Sequence, residues 1–329
     1  MTSPLILITG VTGFIGSHTA LAALRSNYRL RITIRREHQS QMLQRTFGNF
    51  EEQVEFVVIP DLEIPGCFDA ALRDVTYVLH LASPMAGREG SLIDPTRKGT
   101  LSVLESAMKT SSIQKVVIMQ SVASFLPLEN LKGDFTVTES NNIDFSIDSF
   151  QIDQHDGIVR YHAAKLAAYQ ATLDFINTRN PRYDVVTLHP TYVFGRSLLQ
   201  NSAAEISGSN ALLFSALMTG NESSSIYWGQ YLGVHISDVV DAQMAVLHKE
   251  IPSGSAFLLS GKPRPWEDVY DFVTKEYPEL DIKLLPKSWT NWSLDVRKAE
   301  NELGLNFHSM EDQVKEVIDQ QLTFQGDCV

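Results

Sequence analysis

The chain has 329 residues, 43% of them hydrophobic and 20% charged, and 27 basic against 39 acidic side chains give a net charge of −12. That length suits one large domain, or two moderate ones that share a sheet, around a sizeable core. The acid excess repels phosphate backbones and anionic lipid, so neither nucleic acid nor a membrane is an expected partner.

Cys67 and Cys328 are the only two cysteines. They exclude a disulfide scaffold, have no metal-ligand spacing, and are expected to be reduced thiols. No apolar run approaches the roughly 18 residues of a membrane helix. Met1 to Thr9 lacks the basic start of a signal peptide, and the expected compartment is the cytoplasm.

Leu5 to Thr9 is a continuous apolar run, the pattern of a strand buried on both faces. Gly10-Val11-Thr12-Gly13-Phe14-Ile15-Gly16 follows, then a helix over Ser17 to Ser26 and a second strand over Leu30 to Ile34. The glycines therefore lie on the first turn of a β-α-β unit, the setting in which they bind a dinucleotide. Gly10 permits the tight turn, Gly13 lets backbone approach a pyrophosphate, and Gly16 lets helix and strand pack closely. The helix N-terminus adds N–H groups and positive dipole for the phosphates. Arg35-Arg36 closes the second strand where an NAD enzyme would offer a carboxylate to the ribose. An arginine there accommodates a 2′-phosphate, so NADP(H) is the expected cofactor.

Glu55 to Ile59 reads as a third strand ending at Pro60-Asp61-Leu62, and Tyr77 to Pro84 as a fourth running into the small-residue loop Leu81-Ala82-Ser83. Small residues there suit close approach of a cofactor to the carboxyl edge of a parallel sheet. His80 lies within the strand and reads as a core histidine. Ser91 to Lys109 is an amphipathic helix. Lys115 to Met119 is a fifth strand, after which Ser121 puts a hydroxyl at the crevice. Leu126 to Val159 has no sustained period; a stretch this long is commonly functional and here is expected to wall the substrate entrance.

Tyr161 opens a helix to about Thr178 that is rich in alanine. Tyr161 and Lys165, four apart, share one face of it. Asp184 to Leu188 is a sixth strand, leading into His189-Pro190-Thr191-Tyr192-Val193. Beyond it, helices are expected over Asn210 to Met218, Trp266 to Glu276, Leu294 to Leu303 and Met310 to Phe324. Asn221 to Ser225 reads as a turn and Ala256 to Leu259 as a strand. Val234 to Val240 reads as a strand that passes into a helix capped by Ser237 or Asp238. Phe125, Leu126, Phe194, Leu198, Leu212, Phe214, Tyr227 and Trp228 are candidate pocket walls, with the core as the alternative for most of them. The fold class is α/β: a Rossmann-type doubly wound parallel sheet over residues 1–190, with 230–250 returning to it, and a smaller C-terminal substrate lobe over 191–329.

The sequence resembles the extended short-chain dehydrogenases/reductases, and within them the dihydroflavonol 4-reductase-like branch with its fungal aldehyde and ketone reductases. The resemblance rests on Thr9 to Gly16, Arg35, Leu79 to Pro84, Ser121, Tyr161-x-x-x-Lys165, His189-Pro190 and Val234 to Val239. Three positions depart from the usual pattern: Gln120 replaces a hydroxyl residue, Ala164 a serine, and Thr96 an asparagine.

The resemblance implies an NADPH-dependent reductase of a ketone or aldehyde carbonyl on a medium-sized, partly apolar molecule. Tyr161 would be general acid/base, and Ser121 would hydrogen-bond the carbonyl oxygen. Lys165 would lower the tyrosine pKa and hold the nicotinamide ribose. It also implies cofactor contacts from Gly10, Thr12, Gly13, Phe14, Ile15, Gly16, Arg35, Asp61, Leu62, Leu81, Ala82, Ser83, Tyr161, Lys165, His189, Pro190 and Val193, with no metal. The assembly would be a monomer or homodimer. Two other readings stay open: an NAD-dependent nucleotide-sugar epimerase or dehydratase, and a non-catalytic dinucleotide-sensing regulator.

Overall fold

The computed structural model of the protein describes residues 3–84, 91–126, 135–147, 152, 155, 157–220, 224–286 and 292–326. Parts of the irregular stretch 126–159, residues 221–223 of the expected turn, and Cys328 lie outside them.

The strands are β1 (Leu5–Thr9), β2 (Arg29–Ile34), β3 (Val54–Val58), β4 (Tyr77–His80), β5 (Lys115–Met119), β6 (Thr136–Val137), β7 (Asp184–Pro190), β8 (Tyr192–Phe194), β9 (Gly233–His235), β10 (Ala256–Leu259) and β11 (Ser293–Leu294). The α-helices are α1 (Phe14–Arg25), α2 (Gln39–Phe47), α3 (Ile93–Met108), α4 (Gly157–Arg179), α5 (Gly208–Thr219), α6 (Ile236–His248), α7 (Trp266–Glu276) and α8 (Met310–Gly326). A seven-stranded sheet runs in the order β10-β7-β5-β4-β1-β2-β3. The β1–β2, β1–β4, β2–β3, β4–β5 and β5–β7 pairs are parallel. The strand order reverses at β1, the switch point of a doubly wound sheet, where the carboxyl ends of β1 and β4 open a crevice.

The chain forms two compact units. Met1–Ser124, Asn142–His189 and Val240–Phe257 make the first; Phe125–Asn141, Pro190–Val239 and Leu258–Val329 make the second. In the first, β1 and β5 are buried at every residue, which is why both read as unbroken apolar runs. Leu5, Leu7, Phe68, Leu72, Val78, Val103, Leu104, Val116, Phe175 and Val185 form one core cluster. Helices α3 and α4 pack extensively on each other. The buried alanines 163, 164, 167, 168 and 171 of α4 keep that helix slim enough to lie close to its neighbours.

The second unit has its own core, in which Phe194, Tyr227, Tyr231, Trp266, Val269, Val314 and Ile318 pack together. Phe194 and Tyr227, two candidate pocket walls, are core residues at 1% and 0% exposure. Leu212 and Phe214 pack at the margin of that core.

Two readings of this unit are corrected by partners distant in sequence. The helix expected over Leu294 to Leu303 is a strand at its start: β11 pairs with β6, Leu294 opposite Val137. Its end, Ala299–Leu303, winds as a π-helix that stops at Gly304 in the left-handed region. Asp238 lies inside the first turn of α6 and is not its cap. Its buried carboxylate accepts from the His308 backbone N–H at 3.0 Å and faces His308 Nδ1 at 2.5 Å.

Candidate active site

The first element of the site is the β1–α1 turn. Gly10 sits at φ +78°, where a side chain is strained, and a Cβ there would lie 2.8 Å from Ala82 N. A Cβ on Gly16 would overlap the Gly10 carbonyl oxygen. Both positions therefore require glycine. Gly13 caps α1 with no side-chain hydrogen bond, and no acidic residue lies in the first turn. The turn leaves N–H groups and positive dipole for an anion, with Thr12 and Gly13 exposed at its mouth and Phe14 and Ile15 half-buried behind them.

Thr9 ties this turn to β4. Its Oγ1 accepts from the Leu81 and Ala82 amides, each at 3.0 Å. Its own proton is left for His80 Nδ1, 3.1 Å away. His80 is a core histidine, 3% exposed. Burial, with Lys165 adding to it, holds its pKa down at about 4, so the ring is neutral. Nothing in the apolar pattern of β1 singled Thr9 out; the only signal was a hydroxyl at the end of a buried strand.

A cavity of about 270 Å³ opens within the first unit, lined by Arg35, Asp61, Leu62, Ala82, Ser83 and Thr96 among others. Gln39 Oε1 accepts from the backbone N–H groups of Arg35 and Arg36, at 2.9 and 3.0 Å. This contact, not foreseen from the sequence, fixes the backbone from which the exposed Arg35 side chain reaches. Asp61 Oδ1 accepts from the Glu63 amide at 2.8 Å, a local turn that orders the cavity wall. Thr96 spends its hydroxyl on Leu92 O at 2.7 Å.

Tyr161 and Lys165 lie on α4, whose Lys165 reaches the end of β5, and Ser121 follows that strand end. Lys165 is 4% exposed. Its Nζ donates to Met119 O at 3.2 Å and lies 5.8 Å from the centre of the Tyr161 ring. Ser124 Oγ donates to Lys165 O at 3.3 Å, anchoring the loop after β5 to the helix. Burial lowers the Lys165 pKa to about 8. Ser121 is half-buried, and its Oγ accepts from the Ala123 amide at 3.2 Å, a bond that leaves the hydroxyl proton for another acceptor.

The remaining expected residues separate. His189 is fully buried; its ring faces Ser121 O at 3.1 Å and Thr187 Oγ1 at 2.9 Å, so its polar atoms work inside the protein. Pro190 ends β7. Val193 lies in the second unit, 5% exposed, paired with Val234 of β9. Among the described residues there is no group of three or more His, Cys, Asp or Glu able to hold a metal ion. Nor is any helix among them long and apolar enough to cross a membrane.

Residues 6–259 match the family described as NAD dependent epimerase/dehydratase. The chain is similar to the ketoreductase sphI of Aspergillus fumigatus, 40% identical over 98% of this chain and 99% of that protein. In fold it resembles the yeast methylglyoxal/isovaleraldehyde reductase Gre2 complexed with NADPH, with a TM-score of 0.84 at 22% identity over 98% and 99% of the two chains. It also resembles vestitone reductase from alfalfa, with a TM-score of 0.80 at 22% identity over 98% and 99%.

Proposed function

The chain belongs to the NAD dependent epimerase/dehydratase family, and within it we propose an NADPH-dependent reductase of a ketone or aldehyde carbonyl. One observation carries this reading: Lys165, buried and bonded to the end of β5, lies one turn from Tyr161 and beside the strand that delivers Ser121. The 40% identical ketoreductase supports the same class of reaction.

The residues present fit the cofactor. Gly10 and Gly16, neither of which has room for a Cβ, shape a diphosphate cradle at the uncapped start of α1. The cavity lined by Asp61, Leu62 and Ala82 suits an adenosine moiety, and Arg35 at its rim supplies the charge that a 2′-phosphate needs. When bound, NADPH supplies a hydride to the carbonyl carbon.

This chain's own residues do the rest. Tyr161 Oη donates the proton that the carbonyl oxygen takes up. Ser121 Oγ donates a hydrogen bond to that oxygen as charge develops on it. An unperturbed phenol has a pKa of ~10. The ammonium of Lys165, one turn on, favours the phenolate and brings the phenol closer to working pH. Lys165 would also hold the nicotinamide ribose. The first unit binds the cofactor, and the second, with the stretch before α4, selects the substrate.

The test is an NADPH-oxidation screen over methylglyoxal, isovaleraldehyde, acetophenone and a dihydroflavonol. Stoichiometric oxidation of NADPH in preference to NADH, with the alcohol as product, is expected. No turnover of any carbonyl, together with tightly retained NAD in the purified protein, would favour the epimerase reading.

A further inference from the structure

We propose that His189 is a positioning residue for Ser121: with Thr187 it forms a proton-ordered chain that clamps the Ser121 carbonyl. The proposal rests on reading Ser121 as the donor to the substrate oxygen.

Thr187 and His189 lie two residues apart on β7, so their side chains share one face of the strand. The neighbours Val185, Val186 and Leu188 are apolar, as a central parallel strand favours, while Thr187 and His189 are polar and buried at 2% and 0% exposure. Burial of a polar pair is costly unless it is bonded.

The bonds fix where each proton sits. Ser121 O has no proton to give, so His189 Nδ1, at 3.1 Å, is the donor. A neutral imidazole protonated on Nδ1 carries its lone pair on Nε2. Thr187 Oγ1, 2.9 Å from Nε2, is therefore the donor to it. The Ser121 carbonyl selects the tautomer, and the threonine hydroxyl satisfies the lone pair which that tautomer leaves on Nε2. In the opposite tautomer two lone pairs would face each other across the gap to Ser121 O. Burial keeps the ring neutral by pulling its pKa down to about 3. The Tyr169 ring stands edge-on to the imidazole, 4.7 Å between centroids, and limits its rotation.

Ser121 O also accepts from the Ser124 amide at 3.0 Å, and Ser121 Oγ accepts from the Ala123 amide. The Ser121 peptide is thus held by its own turn on one side and by the imidazole of the adjacent strand on the other. Fixing that carbonyl fixes the direction of the Cα–Cβ bond, and with it the reach of the hydroxyl.

The test combines imidazole 15N NMR on the full-length protein, labelled at histidine, with steady-state kinetics on whichever compound of the carbonyl panel is turned over fastest. The His189 signals are assigned by their loss in His189→Asn. The wild type is expected to show a neutral Nδ1–H tautomer that does not titrate between about pH 5 and 8. Thr187→Val removes the donor to Nε2 and is expected to move the Nε2 15N resonance while the ring stays Nδ1–H, and to lower kcat at least about tenfold, with the NADPH Kd unchanged within about twofold. Thr187→Ser keeps the hydroxyl and should restore both the Nε2 resonance and kcat.

An Nε2–H tautomer in the wild type would overturn the proposal. So would a Thr187→Val enzyme of normal kcat, or equal impairment in the valine and serine variants. A wild type that reduces no carbonyl defeats the reductase reading and this proposal with it; an active wild type indifferent to Thr187→Val defeats this proposal alone.

Discussion

Lys165 Nζ lies 5.8 Å from the centre of the Tyr161 ring, and the same nitrogen donates to the carbonyl that ends β5. The ammonium is buried and donates to a backbone oxygen, and burial lowers its pKa to about 8. Its charge is therefore present below that pH and fades above it, well before an exposed lysine would titrate. The kcat for carbonyl reduction at saturating NADPH is expected to fall as pH rises through about 8. A kcat profile flat to about pH 10 would separate Lys165 from the chemistry.

Arg35 projects from a backbone pinned by Gln39 and lines the cavity of the first unit. A charge-assisted bond to a phosphate is worth about 1.5–3 kcal/mol. Arg35→Ala is expected to raise the KM for NADPH by about tenfold or more while moving that for NADH less than about twofold. Steady-state kinetics with both cofactors checks this; equal effects would mean that Arg35 does not read the 2′-phosphate.

The parallel sheet was legible because strands such as β1 are buried on both faces and so carry unbroken apolar runs; the glycine turn was legible because its spacing states a steric need. What stayed hidden depended on partners far along the chain. Leu294 joins a strand only because Val137 is there to pair with it, and Asp238 is diverted from capping by His308, 70 residues away. His80 read correctly as core, but its bond to Thr9, and that of His189 to Ser121, have no local pattern. Of the expected cofactor residues, His189 lies buried behind Ser121, a placement that its neighbouring proline does not encode.

Thr9 accepts two amides and donates to His80. Thr9→Val keeps the volume but orphans the Leu81 and Ala82 amides, and each buried unsatisfied group costs about 1–3 kcal/mol. The variant is expected to lose roughly 2–4 kcal/mol in urea unfolding and to bind NADPH more weakly. A loss below about 0.5 kcal/mol would show that water replaces the hydroxyl.

His80 and His189 are buried neutral, with pKa values lowered from 6.5 to about 4 and about 3 by burial. Below the unfolded value the unfolded chain binds protons that the native one refuses, so stability is complete above about pH 6.5 and declines as pH falls toward the folded values. Each ring contributes a few kcal/mol to that slope, on the order of 1.4 kcal/mol per pH unit. Urea midpoints are expected to drop steeply from pH 6.5 to 4.5, and His80→Gln should flatten the curve. A midpoint independent of pH over that range would contradict the burial of neutral rings.

The central claim is that Tyr161 delivers the proton to a carbonyl oxygen beside Lys165, and Tyr161→Phe tests it with the removal of one oxygen atom. Under the same NADPH-oxidation assay as the wild type, the variant is expected to lose at least about 10²-fold in kcat, while NADPH binding followed by fluorescence stays within about twofold. Full turnover in the phenylalanine variant would contradict the account.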